Sequence, residues 1–315
     1  MRVILAKPRS FCAGVERALR CVDRALDLYG PPVYILKDVV HNAFVIQDLR
    51  DRGAVFVRDL RDVPLGAHVL FSAHGVGPES WDLARERGLR VVDATCPLVE
   101  KVHREAREFA QAGYTIILVG EKNHDEVVGT RAWAPDSIQI VFSVAEVEAV
   151  SAQDPSKVAY LTQTTLSIED CETLIAALKR RFPSIQGPPS NDICYATRNR
   201  QRAVNELAKG ADLVLIVGDP TSANSKRLAA ISLRKVSNTH LISSGEMIED
   251  AWFDGVETVL ISSGASVPEH LVDGVVKRIR QMIPCEVEER EVLRENVHFS
   301  LPTVCRDLTN CDAVE

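Results

Sequence analysis

The chain has 315 residues and a mass of 34.7 kDa, a length that suits two or three hydrophobic cores better than one. Apolar residues make up 46% of it and charged residues 26%, as in globular proteins and unlike disordered ones. Its 37 lysines and arginines against 44 aspartates and glutamates give a net charge of −7, so no basic surplus exists for nucleic acid or an anionic membrane, and we predict neither partner.

The N-terminal residues and the cysteines bear on the compartment. Only four consecutive apolar residues precede Lys7 and Pro8, too few for a signal peptide, and no stretch reaches the ~18 apolar residues of a membrane span. We therefore expect a cytoplasmic protein whose thiols stay reduced. It has eight cysteines and no C-x-x-C pattern, so a metal site would have to collect cysteines that are distant in sequence.

Three segments of the chain repeat one pattern, in which an extended apolar piece ends at a cysteine and a helical pattern follows. These cysteines are Cys12, Cys96 and Cys194. Behind each of them three further apolar runs predict strands, at 33–36, 54–57 and 68–71, at 115–119, 138–142 and 158–161, and at 213–217, 240–242 and 258–261. Amphipathic stretches of helix length lie between them, among them 42–52, 81–88, 169–182 and 225–236.

Strands that alternate with helices predict the α/β class, here as three similar α/β domains with small parallel sheets. We place the first domain at residues 1–95, the second at 96–190 and the third at 191–283, because units of this length fit the usual domain size. We interpret residues 284–315 as a C-terminal arm that packs back on the first domain.

Polar residues recur at equivalent loops of the three units. His41, His124 and Ser222 follow the second strand, 28 or 29 residues behind the cysteine of their unit, with Asn224 close by; His74, Thr164 and Ser266 follow the fourth. In parallel α/β sheets, ligands bind beyond the carboxyl ends of the strands, where all these positions lie. If the units face inward around a pseudo-threefold axis, three thiolates and a ring of polar groups converge on one cavity.

A cysteine at a helix N-terminus has its thiolate stabilised by the dipole and by free N–H groups, which suits a metal ligand or a nucleophile. Three of them from three units would hold either a zinc ion or an iron–sulfur cluster. A cysteine on its own is more often a buried structural residue. We interpret the other five in that way: Cys21, Cys171, Cys285, Cys305 and Cys311.

Imidazoles, hydroxyls and an asparagine amide at helix N-termini form a receptor for a phosphate or a diphosphate. A loop histidine is usually solvated or caps a helix, but the equivalent placing of His41, His74 and His124 favours binding. The sequence contains neither G-x-G-x-x-G nor a P-loop, so we do not expect NAD, FAD or ATP as the cofactor.

Glu126 follows His124 by two residues. As a surface carboxylate it would be solvated or would cap a helix, and Thr164 and Ser266 would equally suit as caps. Desolvated beside a metal-bound oxygen, Glu126 would instead act as a general acid, with Thr164 as a proton relay between its carboxyl and the ligand. The residue pattern alone leaves both interpretations open.

Short motifs extend over nearly the whole chain. They are Phe11-Cys12-Ala13-Gly14-Val15, Val40-His41-Asn42, Phe71-Ser72-Ala73-His74-Gly75-Val76, Asp93-Ala94-Thr95-Cys96-Pro97-Leu98, His124, Glu126-Val127, Gly129-Thr130, Thr162-Gln163-Thr164-Thr165-Leu166-Ser167, Asp192-Ile193-Cys194-Tyr195-Ala196-Thr197-Arg198-Asn199-Arg200-Gln201 and Gly264-Ala265-Ser266-Val267-Pro268. In their order and spacing the chain resembles the 4-hydroxy-3-methylbut-2-enyl diphosphate reductase family, the last enzyme of the methylerythritol phosphate route to isoprenoids.

This resemblance implies a three-domain trefoil around a central 4Fe–4S cluster, which Cys12, Cys96 and Cys194 hold and in which one iron lacks a protein ligand. It implies a two-electron, two-proton reduction of (E)-4-hydroxy-3-methylbut-2-enyl diphosphate, with loss of water, to isopentenyl and dimethylallyl diphosphate. Glu126 would donate the proton, with Thr164 at its side. The residues that would contact the substrate are His41, His74, His124, Thr164, Ser222, Asn224 and Ser266. Since no flavin or nicotinamide motif is present, we expect an external electron donor such as ferredoxin or flavodoxin. We expect the chain to be a monomer or a weak dimer.

The chain departs from the family pattern at three positions. Ala223 stands where the family usually has Ser, Asp125 where it often has Pro, and Val128 where it often has Glu. The missing hydroxyl would weaken substrate binding by about 0.5–1.5 kcal/mol, and the extra carboxylate would either disfavour an anionic substrate or raise the basicity of His124.

Two alternatives remain beside the reductase. One is a paralogue that acts on another allylic diphosphate. The other is a non-catalytic iron–sulfur or zinc protein, a sensor or a scaffold. The pair Glu126 and Thr164 favours the enzyme, because a sensor has no need of a proton donor beside its metal.

Overall fold

The computed structural model describes residues 1–305; Cys311 and the last part of the predicted arm, 306–315, lie outside the described residues. Residues 1–305 form twelve strands and ten α-helices. The strands are β1 (Arg2–Lys7), β2 (Val33–Leu36), β3 (Ala54–Val57), β4 (His68–Phe71), β5 (Arg90–Asp93), β6 (Thr115–Val119), β7 (Ile138–Val141), β8 (Val158–Thr162), β9 (Leu213–Val217), β10 (Thr239–Ile242), β11 (Thr258–Ser263) and β12 (Glu286–Glu291). The helices are α1 (Ala13–Tyr29), α2 (Ala43–Asp51), α3 (Pro78–Glu86), α4 (Pro97–Gln111), α5 (Asp125–Ala132), α6 (Val144–Ala149), α7 (Ile168–Arg181), α8 (Tyr195–Leu207), α9 (Ala223–Leu233) and α10 (Glu269–Met282).

The strands form three parallel sheets that share one order. The sheets are β3-β2-β4-β5, β7-β6-β8 and β10-β9-β11-β1-β12, and every pairing is parallel. Parallel neighbours require crossover connections, and the helices supply them and cover the sheet faces. The central strand β9 is accordingly buried at all five positions. The predicted α/β class with small parallel sheets is confirmed, and the nine strands predicted behind the cysteines are present within two residues of their predicted bounds.

The extended piece before each cysteine lies in the sheet of the preceding unit. β5, which leads to Cys96, pairs with β4, and Gln186, upstream of Cys194, bridges to Ala159 of β8. β1 leads to Cys12 and pairs with β11. The three units are thereby linked head to tail in a closed ring, as a pseudo-threefold arrangement requires.

The strand β1 lies in the third sheet, although the sequence groups residues 2–7 with the first domain. It pairs with the backbone N–H and C=O groups at the edge of β11, whereas the equivalent edge of the first sheet, at β4, is paired with β5. The domain boundaries otherwise stay a prediction.

The described part of the predicted arm packs on the first strand and the first helix. β12 pairs with β1 along its whole length. The guanidinium of Arg17 on α1 donates to the carbonyl oxygen of Ser300 at 2.9 Å, and Cys305 is buried in the core cluster that α1 lines. No helix among residues 1–305 is both long enough and apolar enough to cross a membrane.

Candidate active site

Each of the three repeat cysteines is the N-cap of a helix, Cys12 of α1, Cys96 of α4 and Cys194 of α8. Their backbone N–H groups donate to equivalent loop carbonyls, Cys12 to Ala265 at 3.1 Å, Cys96 to Ala73 at 3.0 Å and Cys194 to Thr164 at 3.0 Å. Each accepting loop follows the last strand of the preceding unit. The same backbone contact therefore fixes all three cysteines, which explains why a sequence repeat produces one site.

The three thiols face one cavity, with an internal volume of about 110 Å³, several times the roughly 10–15 Å³ that one water requires. A Cβ at Gly14 would lie 2.8 Å from Sγ of Cys96 and 3.8 Å from that of Cys12, so this glycine leaves room for the sulfurs. Burial, together with the smaller effect of the nearby Cys12, raises the pKa of Cys96 to about 12 and that of Cys194 to about 11. Such thiols ionise only beside a cation, which fits a metal centre.

The spacing of the thiols bears on the kind of centre that they would hold. Three thiolates on a tetrahedral zinc ion lie about 3.8 Å apart, since each Zn–S bond is about 2.3 Å long. Among residues 1–305, the group of potential metal ligands with all its atoms within 4.8 Å of one another consists of His41, His74 and Asp125, and the three cysteines do not meet that limit. In this arrangement of the side chains, the three thiols are spaced more widely than three thiolates on one zinc ion.

All eleven residues predicted for the site line this cavity; they are Cys12, His41, His74, Cys96, His124, Glu126, Thr164, Cys194, Ser222, Asn224 and Ser266. The imidazoles of His41 and His74 stack with ring centroids 4.3 Å apart, and His124 approaches both edge-on, at 5.4 and 5.7 Å. Burial lowers the pKa of all three, to about 4 for His124, and the neighbouring imidazoles lower those of His74 and His124 further. The ring is therefore neutral at pH 7 until an anion arrives.

Two buried polar nitrogens of the cavity lack a hydrogen-bond partner. Nε2 of His41 and Nδ2 of Asn224 have no hydrogen-bond partner among residues 1–305. Oδ1 of Asn224 accepts from Oγ1 of Thr197 at 3.5 Å, so the amide N–H₂ group is the part that faces the cavity without a partner. An unsatisfied buried polar group costs about 1–3 kcal/mol. Both atoms are thus arranged for an acceptor ligand.

The hydroxyls of the ring differ in their availability. Oγ of Ser222 accepts from the N–H of Ser225 at 3.3 Å as the cap of α9, which leaves its own proton free to donate. Oγ of Ser266 donates to the carbonyl oxygen of His41 at 3.1 Å, a bond that joins the third unit to the first. Asn42 next to His41 caps α2 by accepting from Val45 at 3.1 Å, and this holds the histidine loop in place.

Glu126 is 2% exposed, and both of its carboxylate oxygens contact Thr164. Oε1 accepts from the backbone N–H of Thr164 at 2.6 Å and Oε2 from its hydroxyl at 2.9 Å. Burial raises the pKa of Glu126 to about 7, although both hydrogen bonds oppose the shift. The surface and capping interpretations of Glu126 are therefore wrong: the N-cap of α5 is His124, whose Nδ1 accepts from the N–H of Glu126 at 3.2 Å.

Sequence reasoning gave no role to two threonines that line the cavity. The N–H of Thr197 donates to Sγ of Cys194 at 3.3 Å, and its Oγ1 accepts from the same thiol at 3.1 Å. In the sequence, its position three residues behind an N-cap was the signal for this contact. Thr165 follows the carbonyl that accepts from Cys194, as His74 and Ser266 follow theirs. Thr165, and not Thr164, is therefore the structural equivalent of His74 and Ser266. The sequence did not show this shift by one residue, because positions 164 and 165 are both threonine.

The three departures from the family pattern have different surroundings. Ala223 is 4% exposed and lines the cavity at the first turn of α9. Asp125 is the first residue of α5 and forms an ion pair with Lys37. Val128 on α5 is 44% exposed and is not part of the cavity lining. Only Ala223 and Asp125 therefore bear on the site.

Three linked α/β units that bring thiols, imidazoles and a buried carboxyl to one cavity define an enzyme whose candidate active site contains potential metal ligands. The LytB protein family profile matches residues 3–280. The 4-hydroxy-3-methylbut-2-enyl diphosphate reductase of Acidothermus cellulolyticus is 50% identical over 306 residues, which are 97% of this chain and 90% of the relative. That of Pseudomonas aeruginosa is 47% identical over 310 residues, 97% of this chain and 99% of the relative.

Solved structures of proteins that are named for the same activity are also similar to this chain. That of the E-1-hydroxy-2-methyl-but-2-enyl-4-diphosphate reductase from Plasmodium falciparum matches with a TM-score of 0.93 and 37% identity over 96% of either chain. Another, of an (E)-4-hydroxy-3-methyl-but-2-enyl diphosphate reductase, matches with a TM-score of 0.64 and 33% identity, over 89% of this chain and 100% of the other. The chain belongs to the LytB protein family of 4-hydroxy-3-methylbut-2-enyl diphosphate reductases and is an oxidoreductase. The resemblance inferred from the motifs is confirmed.

Proposed function

We propose that the chain reduces (E)-4-hydroxy-3-methylbut-2-enyl diphosphate to isopentenyl and dimethylallyl diphosphate. The reaction consumes two electrons and two protons, breaks the C–O bond of the hydroxyl group and releases one water. One observation supports the proposal most: three half-buried thiols, unpaired polar atoms for an anion and a buried carboxyl with a pKa of about 7 share one cavity. A reductive dehydroxylation of a diphosphate needs these three elements together.

Cys12, Cys96 and Cys194 would hold a 4Fe–4S cluster in which one iron has no protein ligand. Their spacing in this structure, wider than that of three thiolates on one zinc ion, suits a larger cluster with thiolate ligands. When bound, the cluster would supply electrons and a Lewis-acidic iron. The helix N-termini behind the cysteines favour the thiolates, and at Cys194 the N–H of Thr197, which donates to the sulfur at 3.3 Å, adds to this effect.

The diphosphate would lie against the ring of imidazoles and hydroxyls. Nε2 of His41 and Nδ2 of Asn224 would donate to phosphate oxygens, as would the free hydroxyl proton of Ser222. A bound anion raises the pKa of neighbouring imidazoles, so the neutral ring would take up protons together with the substrate. The N-terminus of α9 adds a favourable dipole at the same place.

Glu126 would supply the proton for the leaving hydroxyl group. With a pKa of about 7 its carboxyl carries the proton in about half of the molecules at neutral pH. A proton on Oε2 would be donated to Oγ1 of Thr164, 2.9 Å away, and the hydroxyl proton of Thr164 would then face the cavity. Thr164 thereby acts as the relay between acid and substrate.

The five-carbon part of the substrate would lie against the apolar side of the cavity, which Val15, Val40, Val99 and Phe299 line. Apolar walls with a few directed polar groups are typical of small-molecule sites. Since the sequence contains no flavin or nicotinamide motif, an external one-electron carrier such as ferredoxin or flavodoxin would supply the electrons. We further propose a cytoplasmic monomer or weak dimer with the three domains and the arm described above.

Chemical analysis tests the proposal. Protein purified without oxygen is expected to contain about four irons and four sulfides per chain, the composition of one cluster. With a chemical reductant it is expected to convert the hydroxylated diphosphate to the two products. A chain without iron, or with a cluster but no turnover, would contradict the proposal and favour the sensor.

Ala223→Ser tests the missing hydroxyl. Since Ala223 is buried in the cavity lining, the added donor is expected to lower KM about 2- to 10-fold, the effect of one neutral hydrogen bond. Steady-state kinetics measure it. Ala230→Ser, at an exposed position of the same helix, is the matched control. An Ala223→Ser enzyme with unchanged KM would show that the family hydroxyl contributes nothing here.

A further inference from the structure

An ion pair joins the first unit to the second beside the histidine ring. Nζ of Lys37, the residue after β2, lies 2.5 Å from Oδ1 of Asp125. A carboxylate oxygen of Asp125 also lies within 4.8 Å of ring nitrogens of both His41 and His74. Asp125 thus places a negative charge beside the imidazoles that would receive the diphosphate, and Lys37 compensates it.

The backbone of Lys37 is strained. Its φ is +60°, in the left-handed region that residues with a Cβ rarely adopt. Its N–H nevertheless donates to the carbonyl oxygen of Val57 at 2.8 Å, so the end of β3 holds this conformation. Strained residues persist mainly where surrounding structure enforces them, and functional sites are enriched in them. Here the strained turn ends β2 and brings an ammonium group to the ring.

Both side chains can change partners. Lys37 is 34% exposed and Asp125 25%, so water reaches both, and the lysine stem has four rotatable carbons. The charge of Lys37 already lowers the pKa of His74, which indicates that the ammonium is near the ring while it is bound to Asp125. Asp219, another carboxylate near His41, already accepts from the N–H of Ala43 at 2.9 Å and is engaged there.

We propose that Asp125 acts as an internal competitor of the substrate diphosphate, and that diphosphate binding transfers Lys37 from Asp125 to a phosphate oxygen. The inference rests on the proposed function and adds Lys37 to the substrate-binding residues. A diphosphate carries more charge and more acceptor oxygens than a carboxylate, so the shared ammonium moves to it. Repulsion by the diphosphate turns the carboxylate of Asp125 toward solvent. In the alternative, Lys37 stays with Asp125 and only screens its charge.

The dissociation constant of inorganic pyrophosphate distinguishes transfer of Lys37 from retention of its ion pair with Asp125. It is measured by titration calorimetry on anaerobically purified holoprotein. Asp125→Asn is expected to bind pyrophosphate about fivefold or more tightly than the unchanged chain, because the competitor is gone. The double variant Asp125→Asn, Lys37→Met is expected to bind it about fivefold or more weakly than Asp125→Asn alone, because a charge-assisted hydrogen bond is lost. Lys37→Met alone is expected to bind most weakly.

Equal dissociation constants for Asp125→Asn and the double variant would overturn the proposal, and so would an Asp125→Asn protein that binds no more tightly than the unchanged chain. Arg52→Met removes an exposed cation paired with Asp23 behind the C-terminus of α2 and controls for net charge; it is expected to leave the constant unchanged. If the unchanged chain itself does not bind pyrophosphate, the proposed diphosphate site fails together with this inference, a result distinct from binding that ignores Lys37.

Discussion

Replacing Glu126 by glutamine is expected to lower turnover about 10²- to 10⁴-fold, the usual contribution of a positioned general acid, and to leave the iron and sulfide content unchanged. The amide has the size of the carboxyl. Its oxygen still accepts from the N–H of Thr164, and its NH₂ group donates to Oγ1 of that residue, so the buried contacts persist. What is lost is the acidic proton.

The pH profile gives a second measurement of the same group. Burial places the pKa of Glu126 at about 7, so the protonated acid predominates below pH 7 and is depleted above it. Turnover limited by this acid is expected to fall about tenfold per pH unit on the alkaline side. The Glu126→Gln enzyme should lack this limb.

Glu121→Gln is the matched control, since Glu121 lies close enough to raise the pKa of His124 but pairs with Arg227 at 2.6 Å instead of facing the thiols. We expect it to retain most of the turnover. A Glu126→Gln enzyme that works at full rate would refute the role as proton donor. One that has lost its iron would instead show that Glu126 supports the metal site.

The sheets were predictable because their strands are short apolar runs between turn residues, and such runs depend on local sequence. The N-terminal strand shows where this information ends. Its residues identify β1 as a strand, but pairing with β11 joins residues about 255 positions apart and is decided by which edge is open in the folded ring. Local pattern contains no information about that edge.

In the site, too, some features follow from local sequence and others only from the folded chain. Cys12, Cys96 and Cys194 could be found because they open three equivalent helices, a pattern visible in one dimension. The raised pKa of Glu126 could not be predicted, since it results from burial of the carboxyl in the folded chain. The contact between Lys37 and Asp125 could not be predicted either, because the two residues are 88 positions apart in the sequence. The repeat was enough to predict the three cysteines as candidate ligands, whereas the electrostatics of the site depend on the folded chain.

Replacing Cys96 by serine is expected to abolish turnover and to remove most of the iron. A serine hydroxyl is a hard donor with a far higher pKa than a thiol, so it does not replace a thiolate on an iron–sulfur cluster. Cys96 lies near both of the other thiols, since the charges of Cys12 and Cys194 both raise its pKa. Iron and sulfide analysis with the visible absorption of the cluster measures the loss.

Cys171→Ser is the control for this change, because Cys171 is a cysteine buried in the core on α7 that does not line the cavity. It is expected to lower the thermal midpoint slightly and to keep its iron. The Cys96→Ser protein should also unfold at a lower temperature than the holoprotein, since a metal centre that binds only the folded chain stabilises it. It should then unfold close to the metal-free unchanged chain, which separates loss of the cluster from misfolding. A Cys96→Ser protein with full iron content and turnover would exclude Cys96 as a ligand and, with it, the threefold thiolate site.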